Sequence, residues 1–262
     1  MNAQQLLDPL PIAAVFVLFA VISLIAFEVG FRLGRRWQTR TPEVTEGPTG
    51  MIVGSLLALM AFLLAITMGM ASDRFDARRG LVLDEANSIG TTYLRAGYLP
   101  EPSSTEIREL LREYVPLRVN VADRDRLAAN FARSTEILDA LWAKAEALAR
   151  QSPDSEMLAL FIDSLNETID LHETRVTAIV YARVPETVLL LLILGSALTL
   201  GMVGYSAGLT GHRSLLTAIV LIVVLGAVVT LVVDLDRPRE GFLQVSQQPI
   251  IDLQDQIGAP SP

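Results

Sequence analysis

Residues 50–80 read GMIVGSLLALMAFLLAITMGMASDRFDARRG, and no charged side chain occurs there before Asp73. A hydrocarbon core about 30 Å thick is crossed by an apolar helix of this length, at about 1.5 Å of rise per residue. Gly50 to Ala71 is therefore expected to span a membrane. Asp73, Arg74, Asp76, Arg78 and Arg79 follow with no proline or turn cluster between. The helix is expected to run on into water, so that one rod joins a membrane part to a soluble part.

Three further apolar runs flank this one. Pro11 to Phe31 lacks the positive leader and small-residue cleavage pattern of a secretory signal and is expected to be a retained first span. Glu28 sits four residues before Arg32, a spacing that favours a local ion pair at the interface. Arg32 to Thr49, with Arg32, Arg35, Arg36 and Arg40 and the breakers Thr41-Pro42 and Gly47-Pro48, is expected to be a polar loop. Pro185 and Glu186 open the third span, Val188 to Leu209, whose Gly195, Ser196, Gly201 and Gly204 permit close helix contact in lipid. A tight loop, Gly211-His212-Arg213, leads to the fourth span, Leu215 to Val233.

Between the second and third spans the composition changes. Ser72 to Arg183 holds 14 basic and 19 acidic residues, the balance of a soluble domain. Its apolar residues recur every three or four positions, as in helices with one buried face. Val82, Ala86, Ile89, Tyr93 and Ala96 form the first such stripe, ending before Leu99-Pro100-Glu101-Pro102. Ser103 and Glu106 have capping-box spacing and start a second helix through Ile107, Leu110, Leu111 and Tyr114, which Pro116 is expected to kink or end. Leu127, Phe131, Leu138, Leu141, Trp142 and Leu148 share a third. Ser152-Pro153-Asp154 reads as a helix start, followed by Leu158, Phe161, Ile162, Leu165, Ile169, His172, Val176 and Ile179. His172 within that stripe reads as a packing residue rather than a titrating site.

These readings define an all-α integral membrane protein with four transmembrane helices and a helical soluble domain inserted between the second and third. The expected organisation is 1–71 for the first two spans and their loop, 72–183 for the soluble domain, 184–234 for the last two spans and 235–262 for a tail. The tail, apolar on one side and broken by Pro249, is expected to pack along the domain or a neighbouring subunit. Both termini then share the domain's side of the membrane. The arginines near span ends favour a cytoplasmic domain when all are counted, and the short first loop favours the opposite, so charge leaves the side open.

Composition excludes several functions. The 262 residues are 51% hydrophobic and 19% charged with a formal charge of -8, which argues against nucleic acid as a partner because counterion release needs clustered cations. With no cysteine and two histidines, neither disulfides, a thiolate site nor a multi-histidine metal centre is expected. Gly204-Tyr205-Ser206-Ala207-Gly208 matches the GxSxG nucleophile pattern but lies in a transmembrane helix, where the required strand-to-helix turn is missing. No catalytic residues and no cofactor are expected, and the chain does not read as an enzyme.

On the second span Phe62, Ile66 and Met70 fall at four-residue steps and share one face, with charges beginning a turn later. Around an axis of several copies that face would make an apolar constriction above a charged vestibule of Asp73, Arg74, Asp76, Arg78 and Arg79. A lipid-facing or helix-packing surface would give the same pattern.

The sequence also resembles a known family. Ser72-Asp73-Arg74-Phe75-Asp76-Ala77-Arg78-Arg79, Leu83-Asp84-Glu85-Ala86-Asn87-Ser88-Ile89-Gly90 and Tyr93-Leu94-Arg95 are similar to stretches of bacterial bestrophin-like membrane proteins. So are Asp234-Leu235-Asp236-Arg237-Pro238 through Gly241 and Ser246-Gln247-Gln248-Pro249. The resemblance implies a pentameric anion channel with four spans per subunit, a cytoplasmic helical domain and a pore lined by the second span. It implies a bacterial cytoplasmic membrane location, inorganic anions as cargo, and Phe62, Ile66 and Met70 at the hydrophobic neck. Animal bestrophins hold calcium through an acidic run after the fourth span, where Asp234 and Asp236 fall here. Interruption by Leu235, with Arg237 and Arg239 following, argues against calcium in this chain. The rival expectation is a non-conducting membrane protein whose helical domain senses a signal or recruits partners.

Overall fold

The computed structural model describes residues 9–40, 47–119, 124–181, 183–237 and 241–259. Among these residues the chain forms eight helices: α1 (Ile12–Arg40), α2 (Gly47–Ala96), α3 (Ser103–Arg118), α4 (Arg124–Gln151), α5 (Glu156–Val180), α6 (Glu186–Thr210), α7 (Leu215–Asp236) and α8 (Gln248–Ile257). By length and composition α1, α2, α6 and α7 are the four candidate membrane spans. The described residues fall into two compact units. One takes the described residues within 9–75, 183–237 and 241–243; the other takes those within 76–181 and 244–259. α2 is a single helix of 50 residues that contributes to both.

In the first unit the packing is inverted relative to a soluble protein. Leu194, Leu198, Leu216, Val220 and Val224 are exposed, whereas Ser23, Thr67, Ser196 and Thr199 are buried. Apolar side chains facing outward need a hydrocarbon surround, and small polar groups between helices allow close approach. α1 and α6 touch backbone to backbone. A Cβ built on Gly30 would lie 1.9 Å from the carbonyl oxygen of Gly201, and one on Gly204 would lie 2.1 Å from that of Phe27. Gly34 and Gly208 are equally confined, against Tyr205 and Phe31. The expected small-residue face of α6 is therefore present, and its counterpart on α1 was not anticipated. Gly195 instead meets Met60 of α2, whose sulfur would stand 2.9 Å from a Cβ there.

The expected loop after the first span is corrected in part. α1 continues to Arg40, so Arg32, Arg35, Arg36 and Arg40 lie on helix, and the breakers Thr41-Pro42 lie outside the described residues. The charges do not stop the helix because they are good helix formers once outside the hydrocarbon. Glu28 does pair with Arg32, at 2.8 Å, and also accepts from Arg213 at 2.6 Å. α6 ends at Gly211, whose φ of 70° supplies the left-handed residue that closes a helix.

The second unit has a conventional apolar core. Val82, Ala86, Ile89 and Ala96 of α2 pack with Ile107, Leu111 and Tyr114 of α3. Ile137, Leu141 and Ala145 of α4 and Leu158, Phe161 and Leu165 of α5 join the same core. Between α2 and α5 runs a buried chain of hydroxyls. Ser88 and Thr168 meet at 2.8 Å, Thr92 and Thr168 at 2.9 Å, and Thr92 donates to the carbonyl of Ser164 at 2.9 Å. These groups satisfy one another where water is excluded.

Several helix boundaries differ in detail from expectation. The Ser103–Glu106 box does not form, since α3 begins after Pro102 and the Thr105 amide donates to the Glu101 carboxylate at 3.3 Å. α5 is capped by Ser155, which accepts from the Leu158 amide at 3.3 Å, rather than by Ser152. Pro116 lies inside α3, which runs two residues past it to Arg118, itself anchored to Glu85 at 2.6 Å. In the tail Pro249 starts a helix instead of breaking one, because its missing amide costs nothing in a first turn. Ile250, Leu253 and Ile257 of that helix, α8, enter the core of the second unit.

Candidate functional site

α2 presents two different faces within the first unit. Met60, Leu64 and Ala71 are buried, and Thr67 returns its hydroxyl to the carbonyl of Leu63 at 2.8 Å. Phe62 is 61% exposed and Ile66 48% exposed, with Met70 half-buried. Within one chain α2 leaves Phe62 and Ile66 uncovered, as it does Met51, Ile52 and Leu59. Of the charges beyond them, Asp73, Asp76 and Arg79 are exposed and Arg74 is half-buried. Arg78 is buried.

At the end of α7 two carboxylates are fully enclosed. Asp234 accepts the backbone amides of Phe242 at 2.9 Å and Leu243 at 3.0 Å. Asp236 accepts the amide of Val184 at 2.6 Å and the Arg183 guanidinium at 3.2 Å. Arg237 donates to the carbonyl of Leu10 at 2.7 Å. One short stretch therefore fastens three separate segments of the first unit by charge-assisted hydrogen bonds. Among the described residues no group of three or more metal-ligating side chains is found, and Arg239 lies outside them.

The second unit holds a buried polar centre that the sequence did not disclose. Glu85 of α2 is completely enclosed and receives Arg118 Nε of α3 at 2.6 Å and the Arg175 guanidinium of α5. Arg175 also donates to Gln247 Oε1, just before α8, at 2.6 Å. Tyr114 Oη lies 3.1 Å from His172 Nδ1 and 3.5 Å from Glu85 Oε1. Arg118 lies over the rings of Tyr114 and Phe131, at 5.7 and 5.6 Å. Four of the unit's helices and the segment before its fifth thus meet around one carboxylate. Burial pushes the Tyr114 hydroxyl above its usual range. Burial, then the charge of Arg118, lowers His172 to about 4, so the imidazole is neutral at physiological pH. Sequence reasoning missed Glu85, since an acid next to a core alanine on a regular stripe looks like surface.

Four long apolar helices with lipid-ready outer faces, together with a water-compatible helical unit built around buried charge, define an all-helical multi-span membrane protein. The bestrophin-like domain matches residues 16–250 of the sequence, and the chain belongs to that family. No curated protein matches it. Crystal structures of a bacterial bestrophin homologue from Klebsiella pneumoniae share the fold. A point variant of that protein aligns with a TM-score of 0.66 at 16% identity over 94% of this chain and 97% of the other. A second structure of it aligns with a TM-score of 0.65 at 16% identity over 94% and 95%.

Proposed function

We propose that the chain is one subunit of a homo-oligomeric ion channel that passes inorganic anions, with α2 around the axis. The observation that carries this reading is the uncovered apolar face of α2. Phe62 and Ile66 project from the helix where the subunit's own fold leaves them unpartnered, and water-exposed charge begins at Asp73. A ring of such faces forms a hydrophobic constriction that gates by dewetting, and the charges beyond it tune which ions approach. Membership of a family whose other members are known as channels supports the same reading. Following that kinship, five copies assemble in a bacterial cytoplasmic membrane, with the helical domain and both termini in the cytoplasm.

Purified protein reconstituted in planar bilayers is expected to show chloride-carried current whose reversal potential follows the chloride gradient. Absence of current across voltage and pH, from protein that is monomeric in detergent, would replace this reading with that of a membrane-anchored sensing or recruiting protein.

A further inference from the structure

Beside the Glu85 centre lies a small cavity of about 20 Å³ within the second unit, walled by Arg78, Val82, Arg175, Ala178, Val245 and Gln247. We propose that this cavity is a binding site for a single halide-sized inorganic anion. The site lies away from the α2 neck face and does not depend on conduction.

Charge balance is the first argument. Glu85 carries one negative charge and is shared by two buried guanidinium groups, Arg118 and Arg175. The neighbouring Tyr114 is a neutral phenol and His172 a neutral imidazole. Glu173 acts on Arg118 from an exposed position and screens that side of the centre. The centre therefore carries one more positive than negative charge among these groups, and buried charge is costly unless it is paired. Arg175 already gives one nitrogen to Glu85 and another to Gln247, so its guanidinium is fixed in orientation at the cavity wall. Arg78, which has contacts of its own, adds a second buried cation to that wall.

Size and polarity are the second. A cavity needs roughly 10–15 Å³ of such volume to hold one water-sized particle, so this one, at about 20 Å³, has room for a single small ion. Val82, Ala178 and Val245 supply apolar walls. The Gln247 amide nitrogen is already committed to the carbonyl of Val245 at 3.0 Å, and its oxygen to Arg175. A weakly hydrated monatomic anion suits cationic donors set among hydrocarbon. Bound there, it would hold α2, α5 and the segment leading to α8 together.

The test is diffraction from full-length protein crystals grown in sodium bromide, read at the bromine absorption edge. An anomalous peak in the cavity, in contact with the Arg175 guanidinium, is expected. An empty or water-filled cavity at saturating bromide overturns the proposal, as does bromide seen only at exposed arginines, an adventitious ion only. In solution, chloride or bromide is expected to raise the unfolding temperature saturably over gluconate at equal ionic strength, and Ala178→Leu, which fills the cavity without touching a charge, is expected to abolish the rise. Equal unfolding temperatures in chloride and gluconate count against the site. Should Ala178→Leu not fold, the wild-type diffraction decides alone.

Discussion

Glu85 and Arg118 meet at 2.6 Å in a place where both side chains are almost wholly withdrawn from water. Breaking such a pair by removing one partner leaves the other charge buried and unmatched, at a cost of roughly 3–5 kcal/mol. Here the removal of Glu85 strands two guanidiniums. Glu85→Gln is therefore expected to lower the unfolding midpoint of the purified protein sharply. The surface pair Glu146–Arg150, at 3.0 Å in a solvated setting, is the control, and Glu146→Gln is expected to leave the midpoint where it was. Comparable midpoints for the two variants would show that Glu85 does not organise the helical unit.

His172 makes this unit sensitive to acid. Its folded-state pKa of about 4 lies below the ordinary value of 6.5. Below pH 6.5 the unfolded chain takes up a proton that the folded chain refuses until pH approaches 4. Stability is therefore expected to be full above pH 6.5 and to fall as the pH drops through that window, by at most about 3 kcal/mol and less after solvent screening. Unfolding temperatures measured between pH 7.5 and 4, for wild type and His172→Leu, check this. The variant is expected to lose the part of the slope between 6.5 and 4.

The α1–α6 contact in the first unit makes a prediction of a different kind. A methyl group at Gly204 would stand 2.1 Å from the Phe27 carbonyl oxygen, and neither backbone can yield without moving a helix. Gly204→Ala is expected to destabilise the bundle by about 1–3 kcal/mol through overpacking. Gly69, where an added methyl group would have nothing within 4 Å, is expected to accept alanine with no loss of monodisperse protein. Size-exclusion profiles after mild heating distinguish the two.

The ease with which these features could be read from sequence differs for a physical reason. A membrane span announces itself one residue at a time, so α2, α6 and α7 are visible as uninterrupted apolar runs, and the stripe Val82, Ala86, Ile89 shows in the 3.6-residue period. Gly201 and Gly204 could be marked as a contact face, but their partners Gly30 and Phe27 lie in another span, and nothing local pairs them. The Glu85 centre was opaque for the same reason. Arg175 stands ninety positions from Glu85, and a buried arginine is spelled like an exposed one. The cap before α5 was misplaced because Ser152, followed by Pro153 and Asp154, has the local pattern of a helix start three residues before the serine that accepts the first amide. The neck candidates are legible as an apolar face and as nothing more, because lipid and a pore constriction select the same side chains.

The Asp234 carboxylate offers a handle on the tail. It takes the amides of Phe242 and Leu243, one on each oxygen, and each such charge-assisted bond contributes about 1.5–3 kcal/mol. Asp234→Ala leaves both amides without that acceptor and is expected to make the chain near Gly241–Leu243 much more susceptible to limited proteolysis. Asp234→Asn, which keeps one good acceptor oxygen, is expected to show an intermediate rate. Unchanged cleavage in both would mean that the tail is held from elsewhere.

Conduction, if it passes between α2 helices, puts the rate at Phe62 and Ile66. A dewetting barrier depends on the apolar lining of the narrowest section, so smaller or more polar side chains there admit water at lower cost. Phe62→Ala and Ile66→Ser are expected to raise single-channel conductance severalfold or to leave the pore constitutively open in planar bilayers. Leu198 on α6 is 70% exposed and as apolar, so Leu198→Ala tests whether any outward-facing hydrophobe would do. Its conductance is expected to match the wild type, because a residue bathed in lipid sets no barrier to an ion. Equal effects at all three positions would remove α2 from the axis, and no effect at Phe62 and Ile66 alongside robust current would place the constriction on another helix.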